Sequence, residues 1–100
     1  IYIKDCVKVV IWLLKKKKLT GIYNVGTGKS RTFYDLAKTV FKNVNLKPNI
    51  NYVPTPKRIR DGYQYYTKAK MNSLRKAGYK KEFLTIEQGV KDYIKNYLVK

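Results

Sequence analysis

Arg58, Arg60, Tyr63, Gln64, Tyr65 and Tyr66 crowd into nine residues of a 100-residue chain. Guanidinium forks match phosphate oxygens, and aromatic faces stack on a base or a sugar. Half of the chain's four arginines stand here. The same composition also describes a polar surface loop whose tyrosines keep their hydroxyls in water, and local composition leaves both readings open. Gly26-Thr27-Gly28-Lys29-Ser30 offers a second chemistry, phosphate binding at the start of a helix. A phosphate loop needs GxxxxGK[ST], so that successive amides wrap the anion. The first glycine would have to stand at position 23, which is Tyr23. A dinucleotide fingerprint fails as well, because its third glycine would fall on Arg31.

Other catalytic chemistry is thinly supplied. The chain has no histidine, so histidine metal sites and histidine triads are excluded within it. Cys6 is the single cysteine, which rules out an internal disulfide and fits a reducing, cytoplasmic setting. Of six acids, Asp5, Asp35 and Glu87 occupy capping or first-turn places. Tyr66-x-x-x-Lys70 has proton-transfer spacing, but ten tyrosines among 19 lysines make such matches expected by chance. No catalytic residue, cofactor-binding residue or metal ligand is assigned in this chain.

The elements that hold these residues follow from periodicity. Asp5 reads as the N-cap of a helix from about Cys6 to Lys15, with Val9, Val10, Trp12, Leu13 and Leu14 inward. Lys15 to Lys18 fall at its C-terminal end, where cations complement the dipole. Ile22–Val25 is a short apolar strand bounded by glycines. Thr32 and Asp35 form a capping box, followed by Phe33, Leu36, Ala37, Val40 and Phe41 at core spacing. Ile50–Val53 reads as a second strand, stopped by Pro54 and Pro56. Residues 57–66 read as a loop, and Thr67 as the cap of a helix running to Ala77 and stopped by Gly78. Thr85 and Gln88 make a second capping box, ahead of a stripe of Ile86, Val90, Tyr93, Ile94, Tyr97 and Leu98. This order argues for α/β. Two strands are too few for a sheet covered on both faces, so the chain is expected to be part of a longer one.

The formal charge is +17. Such a charge could serve nucleic acid. However, the cations are 19 lysines spread along the chain against 4 arginines. Base readout and bidentate phosphate contacts favour arginine, so nucleic acid is not the expected partner. The apolar run Val9–Leu14 is too short to cross a bilayer, and Asp5 and Lys8 interrupt any signal-peptide reading.

Several blocks resemble a known family. Asp5 after Tyr2-Ile3-Lys4, then Gly21-Ile22-Tyr23-Asn24-Val25-Gly26-Thr27-Gly28, then Phe33 in a capped helix, resemble the C-terminal part of extended short-chain dehydrogenases/reductases. Tyr52-Val53-Pro54-Thr55-Pro56, Tyr63-Gln64, Thr67-Lys68-Ala69, Leu74-Arg75-Lys76-Ala77-Gly78-Tyr79 and Glu87-Gln88-Gly89-Val90 are similar to the narrower family of ADP-heptose 6-epimerases. The resemblance spans essentially the whole chain and would place it in the last third of such an enzyme. It implies the end of an NAD(P)-binding Rossmann domain at about 1–30 and a small substrate-binding domain at about 31–100. It implies a cytoplasmic homo-oligomer that uses NADP, bound mainly upstream, to invert C6″ of ADP-glycero-manno-heptose for lipopolysaccharide inner-core heptose; the superfamily-wide blocks alone would equally suit another nucleotide-sugar epimerase or dehydratase. It assigns one site residue here, Tyr63, to the ADP-heptose substrate. The family's basic residue before that tyrosine is Gly62 in this chain, which leaves Arg58 and Arg60 as nearby cations.

Overall fold

The computed structural model describes residues 1–99. Helix α1 spans Ile3–Lys15, α2 Phe33–Asn43, α3 Lys57–Arg60, α4 Asn72–Ala77 and α5 Ile86–Tyr93, and a wider π-helical turn continues α5 over Ile94–Leu98. Local chemistry sets several of these limits. Thr32 Oγ1 accepts the Asp35 amide at 2.9 Å, and the Asp35 carboxylate accepts the Thr32 amide in return, so α2 begins on a complete capping box. Thr85 and Gln88 do the same for α5. Gly78 ends α4 at φ +115, a conformation that costs glycine nothing. The Tyr79 amide then bonds back to the Leu74 carbonyl. Arg75 fastens the same turn, donating from Nη1 to the carbonyls of Tyr79 and Lys81, both at 2.8 Å.

The core is small. Val9 of α1, Leu74 of α4 and Tyr79 are buried together, and Trp12, Leu13, Tyr23, Val25, Met71 and Phe83 close around them. Trp12 meets Tyr79 edge-on at 5.3 Å. Burying each aliphatic side chain of this size contributes about 1.5–3 kcal/mol. A second packing unit sets α2 against α5 and the π-turn. The two units are joined at the start of α1. Gly89 lets the Tyr2 ring lie directly on α5, since a Cβ there would stand 3.1 Å from it. The Tyr2 hydroxyl donates to the Asp92 carboxylate one turn further on.

Several expectations are corrected. Among the described residues there is no strand, so only the helical half of the α/β expectation is seen. Ile22–Val25 and Ile50–Val53 find no ladder partner. Ile22 is 94% exposed and Val53 82% exposed, and a strand exists only when another backbone answers its amides and carbonyls. Asp5 is not a cap: α1 starts at Ile3, with Tyr2 at the N-cap position. Val10 and Leu14 are exposed, as are Phe33, Leu36 and Val40 on α2 and Tyr93, Tyr97 and Leu98 at the other end. Residues 57–66 include one helical turn, α3. Thr67 caps nothing, because α4 begins only at Asn72. The residues between are held instead by the glycine segment.

Candidate substrate-contact loop

The Tyr63 loop is built from two prolines and one helical turn. Pro56, at φ -54, is set for a helix start, and the Ile59 amide donates to its carbonyl. Arg60 turns back and donates from Nη2 to the Thr55 carbonyl at 2.9 Å, closing the turn. The Tyr63 amide donates to the Arg60 carbonyl at 3.4 Å, which places the ring just past the helical turn. Tyr63 is 40% exposed and packs edge-on against Tyr65, with centroids 5.1 Å apart. Tyr65 and Tyr66 stand further into solvent, and Gln64 and Arg58 are exposed.

The structure therefore brings together Tyr63 and Tyr65 and divides the two arginines. Arg60 is committed to its own backbone. Arg31 is taken by acids, and Arg75 by carbonyls. Among the described residues, Arg58 alone of the four arginines has no hydrogen-bond or ion-pair partner. An exposed ring pair can hold a planar group, and an uncommitted guanidinium on the same loop can answer an anionic oxygen.

The glycine segment anchors the far side of this loop. Asn24 Nδ2 donates to the Lys70 carbonyl, and a Cβ at Gly26 would lie 2.7 Å from the Cβ of Ala69. Gly28, at φ +75, faces the Met71 side chain, 3.3 Å from where its own Cβ would be. Ala69 and Met71 occupy the approaches to both glycines, where a cofactor backbone would have to come close. The residues of this turn do not fit an NADP cradle; they fit a packed joint that fixes where the Tyr63 loop rejoins the fold.

Residues far apart in sequence set the rest of the scaffold. Asp5, 3% exposed, accepts the Leu84 amide at 2.7 Å and ties α1 to the approach of α5. Arg31 grips both oxygens of Glu87 and reaches Asp35 at 3.3 Å, tying α2 to α5. Hydrogen bonds from Arg31 hold the Glu87 carboxyl down at about 2, and Glu87 in turn raises the Arg31 guanidinium. The bond to Asp92 pushes the Tyr2 hydroxyl up to about 12. Lys4 also reaches Asp92, at 2.9 Å, and that carboxyl is held low, first by Tyr2 and then by Lys4. Apart from Arg31–Asp35, four residues apart, these pairs have no local signature, since their partners lie 56 to 90 residues away. The capping or first-turn placement of Asp5, Asp35 and Glu87 is the sequence signal among them, and it names no distant partner.

No protein-family model matches the chain. Curated relatives do. A protein of Nitratidesulfovibrio vulgaris named ADP-L-glycero-D-manno-heptose-6-epimerase is 45% identical over 98 residues, covering 98% of this chain and 30% of its own length. The protein of that name from Fusobacterium nucleatum is 42% identical across the whole chain and 32% of its own length. That of Alkalilimnicola ehrlichii is 40% identical over 92% of the chain and 28% of its own. Along nearly its whole length the chain is similar to a segment of proteins named ADP-L-glycero-D-manno-heptose-6-epimerase. It spans about 30% of the length of the curated relatives it matches.

Proposed function

We propose that this chain is the substrate-side part of an NADP-dependent epimerase that inverts C6″ of ADP-glycero-manno-heptose for lipopolysaccharide inner-core heptose. The observation that carries the reading is the 40–45% identity to proteins of that name along nearly the whole chain. In this reading residues 1–30 complete a Rossmann domain, and Ile22–Val25 becomes a strand of its sheet. Residues from about 31 to 100 belong mostly to the substrate-binding domain. The working enzyme is a cytoplasmic homo-oligomer. NADP supplies reversible hydride transfer when bound, and the part of the enzyme outside this segment holds it. Within the segment, the Tyr63 hydroxyl contacts the ADP-sugar, its ring covers an apolar edge, and Arg58 answers a diphosphate oxygen. A phenol and a guanidinium carried on one loop suit this task, because one group orients the substrate and the other neutralises it.

The test joins this chain to the portion of the Nitratidesulfovibrio vulgaris relative that lies outside the match. The fusion is expected to epimerise ADP-heptose and to leave UDP-sugars unchanged. In it, Tyr63→Ala removes a hydrogen bond to a charged group, worth about 1.5–3 kcal/mol, and raises KM by roughly ten- to a hundredfold. Tyr63→Phe keeps the ring and isolates the share of the hydroxyl. An unchanged KM in Tyr63→Ala would sink the assignment of that residue. A folded fusion without turnover on ADP-heptose would sink the reading as a whole.

A further inference from the structure

Helix α1 is apolar on two opposite faces. Asp5, Val9, Trp12 and Leu13 face the core. At about 100° per residue, Ile3, Val7, Val10, Ile11 and Leu14 line up on the other side, and they are between 46% and 74% exposed. Only Lys4, Lys8 and Lys15 interrupt this pattern, as a narrow rim between the two faces. A surface helix carries one apolar stripe; a helix apolar nearly all round belongs in the middle of a protein. The whole molecule agrees. Its accessible area is 8612 Å², against roughly 5,900 Å² for a compact monomer of its 11.8 kDa mass. Its radius of gyration is 16.7 Å, against about 13 Å for a compact 100-residue domain. It forms a slab only 18 Å deep along its shortest axis.

We infer that the outward stripe of α1 is the seat of the polypeptide preceding this segment in the epimerase relatives, so that α1 becomes a middle layer of the complete enzyme. The inference rests on the epimerase reading above. Three observations favour this occupant. The surface excess, roughly 2,700 Å², is well beyond the ~800 Å² per partner of an ordinary association and has the scale of an interior. The relatives carry more than twice as much chain outside the match as within it, since the match covers only 30% of their length. A second copy is disfavoured, because two chains of charge +17 would bring like charges together around the stripe.

The experiment uses single cysteines in a Cys6→Ser background, with maleimide labelling read at the modified peptide by mass spectrometry. Val10→Cys and Ile11→Cys report on the stripe, and Lys8→Cys reports on the rim. Each is placed in the 100-residue chain and in the fusion described above. Positions 10 and 11 are expected to label readily in the chain alone and roughly tenfold or more slowly in the fusion, with Lys8→Cys reactive in both. Equal labelling of positions 10 and 11 in both proteins overturns the inference. So does protection in the chain alone that grows with its concentration, which marks a second copy, or protection that appears only with anionic vesicles, which marks a membrane. A fusion that protects position 10 without epimerising ADP-heptose leaves the inference standing and removes the functional reading. A fusion that epimerises with position 10 freely labelled does the reverse.

Discussion

Gly26→Ala tests whether the glycine turn is a packed joint. The added methyl would stand 2.7 Å from the Ala69 Cβ, whereas carbons pack best at about 3.5–4.0 Å. One side must therefore move by about 1 Å. The obstacle is steric, because the φ of Gly26 is not among the positive values that demand glycine. Forcing an extra carbon into a packed site costs about 1–3 kcal/mol, which lowers a urea midpoint by roughly 1–3 M for a small protein with a slope near 1 kcal/mol per M. Trp12, the only tryptophan, lies against Tyr79 in the core and serves as the fluorescence reporter. The decisive variant is the double replacement Gly26→Ala/Ala69→Gly, which moves the methyl from one side of the joint to the other. Ala69→Gly alone should cost about 0.4–1 kcal/mol through the unfolded chain. The double variant should recover most of the Gly26→Ala loss, a coupling of about 0.5–3 kcal/mol. Strict additivity of the two single variants would refute the joint, as would a Gly26→Ala protein as stable as the parent.

Two further outcomes follow from the long-range ties. Glu87 titrates near 4.5 when free and at about 2 in the fold, so its pairing with Arg31 stabilises above about 4.5 and is lost as pH falls towards 2. The gap in urea midpoint between the parent and Arg31→Ala should therefore close across that window, and a gap independent of pH between 5 and 2 would contradict the pairing. Asp5→Ala strips the Leu84 amide of its acceptor and should cost about 1.5–3 kcal/mol. Asp5→Asn, which keeps a side-chain oxygen, should cost less. Hydrogen exchange at Leu84 is the readout, and equal protection in Asp5→Ala and the parent would show that the bond does not hold that approach.

Features written within four residues could be read directly from the sequence. The boxes Thr32–Asp35 and Thr85–Gln88 satisfy amides of their own first turns, and Gly78 ends α4 by its own backbone freedom. The Tyr63 loop was legible as an aromatic and basic cluster, but its division of labour was not. Arg60 is drawn off by the Thr55 carbonyl, which composition cannot express. α4 begins at Asn72 and not at Thr67; ahead of it Ala69 lies against Gly26 and the Lys70 carbonyl accepts from Asn24, 46 residues away, contacts that the sequence does not announce.

What the sequence by itself determined is therefore local and chemical. It set the helix ends with complete capping boxes, the rejection of a phosphate loop at Gly26–Gly28, and the family blocks from Tyr52 to Val90. Tertiary structure alone decided what required a partner distant in the chain: the burial of Asp5 against Leu84, the Arg31 grip on Glu87, the seat of Tyr2 on Gly89, and which face of α1 lies inward. Apolar spacing names both faces of α1 alike. Ile22–Val25 likewise carries strand residues without a strand, because a ladder is a property of two backbones and none among the described residues pairs with it.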